Sequence, residues 1–174
     1  MAEPNVIPGD LQIKGALILS GTTTLPASTV TNAAVASGAA IDASKLLHMV
    51  NVPTQLFAPA TTVTALTQDC YIAKGIGTLT SVRAAINGAI ATGADRTVTV
   101  DLQKSTAGGA FATVLSGTVG FTNASVLRTL STGTISSATY AAGDLFRWVV
   151  TVAGSASAQA TGLIADFVAY EATT

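Results

Sequence analysis

Two stretches set the reading of this chain. From Thr97 to Leu102 the order is Thr-Val-Thr-Val-Asp-Leu, and from Leu145 to Val152 the residues Phe146, Trp148, Val150 and Val152 share one parity. A period of two is the signature of a half-buried strand, so Val98, Val100 and Leu102 are expected to point inward and Asp101 outward. Comparable runs predict strands at roughly 60–66, 69–77, 79–91, 96–104, 110–116, 125–135, 145–153 and 161–171. They are separated by turn chemistry at 92–95, 107–109, 141–144 and 154–157. About eight short strands with no helical periodicity predict an all-β antiparallel sandwich of jelly-roll type over 56–174.

The first 55 residues follow a different pattern. Leu11, Ile13, Leu17 and Leu19 fall on one parity with Gly15 and Gly21, which predicts a single extended strand with one apolar face. Such a strand is not stable alone in water, and identical chains beside it are the simplest cover. Further on, Pro26 interrupts the pattern. Asp42 suits a helix N-cap, with Ile41 and Leu46 able to staple a short helix running through Leu47 to His48. Pro53 and Pro59 then mark a connecting segment. The expected organisation is an extended arm over 1–55 and a head over 56–174. The expected oligomer or capsid interface comprises Leu11, Ile13, Leu17, Leu19, Ile41, Leu46 and Leu47.

Composition sharpens this picture. Ala, Thr, Gly and Ser make up half of the 174 residues, charged residues are 10%, the net charge is -1 and the mean hydropathy is +0.55. Charge this sparse is well below the roughly 25% usual for soluble domains, so part of the surface is expected to lie against other chains. One Cys cannot form an internal disulfide, and Cys70 with His48 supplies too few ligands for a metal site. Eight scattered Lys and Arg balanced by nine acids leave no footprint for nucleic acid. The apolar runs fall short of the ~20 residues that cross a bilayer as a helix. The opening MAEPNVIPGD has no basic region followed by an apolar core, so no secretory signal is expected.

Individual residues add no catalytic constellation. Cys70 lacks a neighbouring base and reads as a small buried hydrophobe. His48 reads as a helix-end side chain. Asp95 and Asp144 sit in turns, while Asp101, Asp166 and Glu171 suit solvent faces and ion pairs with Arg83, Arg96, Arg128 and Arg147. Gly75-Ile76-Gly77 lacks the Lys-Ser/Thr of a phosphate loop, and the Asn123-Ala124-Ser125 sequon reads as chance. The aromatic residues are spread singly and read as core. The sequence therefore predicts no enzyme and no cofactor.

The runs Pro8–Gly21, Leu25-Pro26-Ala27 and Gly38–Leu46 resemble the N-terminal region of tailed-phage virion proteins of the capsid-decoration, cement or head-fibre kind. Gly93–Ser105 and Tyr140–Leu145 are similar to the same group. Leu47-His48-Met49 departs from that pattern, where more polar residues often follow the Lys-Leu. The resemblance implies a homotrimer with an N-terminal arm and a β-sandwich head on the capsid exterior, with the major capsid protein as partner and neither nucleic acid nor membrane. The alternative is a trimeric tail-fibre or receptor-binding module, against which the bland loops at 106–110 and 154–158 weigh.

Overall fold

The computed structural model describes residues 47–92, 96–154 and 159–173. The predicted arm strand, with Leu11, Ile13, Leu17 and Leu19, lies outside the described residues, as do Ile41, Asp42 and Leu46. The expected helix end at Leu47–His48 is corrected: strand β1 runs Leu47–Thr62, opening with Leu47 opposite Ala172. Pro53 and Pro59 do not break β1, because it pairs with β12 alone and an edge strand spares the N–H groups that proline lacks. The expected arm–head boundary at 55/56 falls inside this strand.

Next come β2 (Leu66–Ile72), β3 (Gly75–Gly88) and β4 (Thr97–Ser105). Three short strands follow, β5 (Phe111–Thr113), β6 (Leu115–Gly117) and β7 (Val119–Phe121). Another three are β8 (Ser131–Thr132), β9 (Thr134–Ile135) and β10 (Thr139–Tyr140). The chain closes with β11 (Leu145–Ala153) and β12 (Thr161–Thr173).

One sheet has the order β1-β12-β3-β10, with β8 also on β3. The other large sheet has β2-β11-β4-β5, with β7 also on β4, and β6 and β9 form a two-stranded sheet of their own. Every pairing is antiparallel. Counting β5–β7 as one broken fifth strand and β8–β10 as a broken sixth, the two sheets read 1-8-3-6 and 2-7-4-5. That is the jelly-roll order, and the expected all-β sandwich is the observed fold.

Alternation builds the core. Val98, Val100 and Leu102 of β4 and Phe146, Trp148 and Val150 of β11 are buried as expected. Facing them are Val82, Ala84 and Ile86 of β3 and Leu163, Ala165, Phe167 and Ala169 of β12. The Phe146 and Phe167 rings lie 5.3 Å apart across the sandwich, and Trp148 Nε1 donates to Thr54 Oγ1 of β1 at 3.1 Å. A buried indole N–H needs such a partner, so this bond ties β11 to the edge of the opposite sheet. At Gly77 a side chain is excluded, since a Cβ there would sit 2.2 Å from the Tyr140 ring laid over it.

Candidate interaction surface

Where two sheets meet at one end of the sandwich, the inward parity of β12 brings in an acid. Glu171 is buried, accepting from the Tyr71 hydroxyl at 2.8 Å and from the Lys74 backbone N–H at 3.2 Å. This corrects the expectation of a solvent-face role. Burial, then the hydrogen bond and charge of Glu171, push the Tyr71 phenol up to about 12. Burial beside the same carboxylate raises the Tyr140 phenol as well. Asp144 is buried in its turn, accepting from the Ala141 N–H at 3.0 Å and lying 3.4 Å from Lys104 Nζ. Lys104 Nζ also donates to the Thr139 carbonyl at 2.7 Å. These groups are engaged in holding strands together, with no nucleophile and base side by side.

Cys70 is half-buried, its thiol donating to the Phe146 carbonyl at 3.5 Å. Burial, with a smaller contribution from Asp69, pushes it up to about 12, which suppresses the thiolate that nucleophilic chemistry needs. His48 is exposed on β1 opposite Glu171 in register. No group of three or more His, Cys, Asp or Glu side chains comes together among the described residues.

The outer face of the β1-β12-β3 sheet is the distinctive surface. Register aligns Met49, Tyr170 and Thr78 in one row, then Asn51, Val168 and Ser81, then Pro53, Asp166 and Arg83, then Gln55, Ile164 and Ala85. Met49 is 67% exposed, Ile76 63%, Ile164 47% and Tyr170 46%. In the middle of the face, Arg83 forks onto Asp166, Nε donating to Oδ1 at 3.0 Å and Nη2 to Oδ2. This is the ion pairing expected for those residues. The field around the pair is mixed: exposed Met49, Ile76, Ile164 and Tyr170 stand among Asn51, Gln55, Thr78 and Ser81.

One edge of that field carries a groove of about 400 Å³ lined by Pro53, Gln55, Leu130, Ile164 and Asp166, among others. Its wall at Leu130 belongs to the 122–130 segment, expected to be mostly strand but observed as a loop. Local bonds explain the difference. The Thr122 N–H donates to Ser125 Oγ at 2.9 Å, the Ser125 N–H to the Thr122 carbonyl at 3.0 Å, and the Arg128 N–H to the Ile86 carbonyl at 2.9 Å. Val126 is 71% exposed at the tip, with Leu127 at 38% beside it. Arg128 takes a left-handed φ of 57°, uncommon without glycine.

Of the seven interface residues read from the sequence, only Leu47 falls within the described residues. Tyr170, expected in the core, is corrected to the outer face at 46% exposure, and exposed Met49, Ile164 and Val126 are not among the seven. Apolar residues on both parities of β1 and β12 were the available signal for the face.

No family model matches the chain, and no curated protein matches it. Among solved structures, the chain is similar to a chain of the cyanophage Pam1 capsid asymmetric unit, with 17% identity and a TM-score of 0.46. That match covers 84% of this chain and 99% of the other. It is also similar to a chain in the structure of infectious bursal disease virus Gt strain, with 12% identity and a TM-score of 0.33, covering 75% of this chain and 39% of the other. With TM-scores below 0.5, neither likeness assigns a function here.

Proposed function

We propose that this chain is a structural virion protein, one that decorates and stabilises a phage capsid exterior as a homotrimer by bridging adjacent capsid subunits. The observation that carries the reading is the set of exposed apolar side chains, Met49, Ile76, Ile164 and Tyr170, on the outer face of the β1-β12-β3 sheet of a chain with only 10% charged residues. Exposed large apolar side chains gathered on one sheet face suit contact with protein partners. The virion-protein resemblance of Pro8–Gly21 and Gly93–Ser105 supports the setting. On this reading the protein is not an enzyme; it acts by burying area across seams, and many equivalent copies multiply a modest gain per contact.

The arm residues Leu11, Ile13, Leu17, Leu19, Ile41, Leu46 and Leu47 remain part of the proposal as contacts to neighbours or to the major capsid protein. Imaging of virions made with and without the protein tests it. Extra density repeated over the shell exterior, lost on deletion, is the expected result. Density confined to the tail tip would overturn it in favour of a receptor-binding module.

A further inference from the structure

At one end of the sandwich the inner layer changes from apolar to polar. Register lines up His48, Glu171, Gly77 and Tyr140 as one row across the β1-β12-β3-β10 sheet. Tyr71, Phe146 and Lys104 form a row of the opposite sheet. The Tyr140 ring lies over Gly77 and 5.2 Å from the Phe146 ring, beside the Glu171 carboxylate. Both oxygens of that carboxylate are engaged, Oε2 by the Tyr71 hydroxyl of β2 at 2.8 Å and Oε1 by the Lys74 N–H at 3.2 Å. Glu171 is only 3% exposed, so loss of the carboxylate would leave both donors without their acceptor.

This bond matters most to β1. Among the described residues β1 pairs with β12 alone. Two side-chain hydrogen bonds tie these two strands to the opposite sheet, Trp148 to Thr54 and Tyr71 to Glu171. From Thr54 onward burial helps as well, since Leu56 is 8% exposed. Over residues 48–51 it does not: His48, Met49 and Asn51 are exposed and Val50 is half-buried. A stretch with so little buried surface opens at low cost unless its neighbour is held in place. Its neighbour is the end of β12, with His48 opposite Glu171 itself.

We propose that Glu171 is a latch and that residues 48–51 of β1 are a strap it keeps shut. With the latch removed, the strap lifts from the end of β12 while the core behind Thr54 stays closed. The place where the chain enters the sandwich can then move without unfolding the head. This latch is independent of the virion reading, because its opening is a property of the isolated chain.

Amide hydrogen exchange on the full-length chain, read residue by residue by NMR, tests it. In Glu171→Ala the β12-bonded amides of residues 48–51 should exchange about tenfold faster than in the parent, the loss of a charge-assisted hydrogen bond. Amides of residues 98–102 and 146–150 should keep their parent rates. Tyr71→Phe keeps the ring and drops the donor, so it should speed the same strap amides by a smaller factor. It also decides the matter if Glu171→Ala does not fold, which Trp148 fluorescence will report. Strap amides unchanged in the variants that fold would overturn the latch. A rise shared equally by the strap and both core strands would overturn it too, because Glu171 would then hold the whole fold and no separate strap. Strap amides already unprotected in the parent would show the strap open with Glu171 in place, and would sink the idea as well.

Discussion

On the outer face of the β2-β11-β4-β5 sheet the polar side chains satisfy one another. Arg147 donates to Gln103 Oε1 at 3.0 and 2.8 Å through Nε and Nη2, and its guanidinium lies 3.8 Å from the centre of the Phe111 ring. Gln103 Nε2 donates in turn to Asp101 Oδ2 at 3.1 Å, and Thr113 Oγ1 to Asp101 Oδ1. The expected Arg147–acid pair is thus replaced by a bond to an amide and a stack on an aromatic ring. On the other sheet the same alternation turns Met49, Ile164, Val168 and Tyr170 outward around one ion pair. Both sheets have a dry inner face, so the core does not distinguish them. Their outer faces differ in degree: the Arg147 network covers much of one, where Ile72 is 60% exposed, whereas the other exposes Met49, Ile76, Ile164 and Tyr170.

The largest effect should come from breaking what the sheets share. Trp148 is fully buried, reaches Thr54 on β1 and packs 6.3 Å from Phe167. Trp148→Ala should cost ~3–5 kcal/mol, through lost burial and the cavity left behind. Urea titration of the variant checks this, and a loss below about 1 kcal/mol would mean that the sheets do not depend on a common core.

Alkaline pH should act next, at Cys70 and Tyr71 on the edge strand β2. Folding raises Cys70 from 9.0 to about 12 and Tyr71 from 10.0 to about 12. Above the unfolded values the unfolded chain gives up these protons while the folded chain keeps them. Their contribution is therefore whole below about pH 9 and declines as pH rises toward about 12. Urea midpoints should fall through that window, and Cys70→Ala should delay the onset toward pH 10, where Tyr71 takes over. Midpoints that stay level through the window in both proteins would show that the thiol and phenol are as solvated folded as unfolded.

The polar-out sheet was the legible one. Thr97–Leu102 and Leu145–Val152 alternate cleanly because one parity meets the core and the other meets water, and both strands were placed to within a residue or two. β1 was not legible for the complementary reason. Its outer parity carries Met49 and Pro53, so apolar residues fall on both sides and the period of two dissolves; its prolines then read as breaks, although an edge strand accepts them. The 125–135 run failed differently: Val126, Leu127 and Leu130 resemble a strand, but Thr122 and Ser125 take the backbone bonds locally. Glu171 was readable in hindsight, since it continues the inward series Leu163, Ala165, Phe167 and Ala169. Its partner Tyr71 lies 100 residues away, and no local pattern announces that contact.

The smallest effect on folding is also the sharpest test of the two faces. Thr99 on β4, paired with Thr151 and partly exposed on the face that carries the Arg147 network, should accept lysine with a stability change within about 0.5 kcal/mol and no change in sedimentation. Met49→Lys sits at 67% exposure and should fold equally well, with Trp148 emission unchanged. Yet it places an unpaired ammonium beside exposed Tyr170, where a partner would have to desolvate it. The oligomer should therefore weaken with Met49→Lys and not with Thr99→Lys. Equal sedimentation of the two variants would mean that the apolar face is left open to water, and that the difference between the sheets has no bearing on assembly.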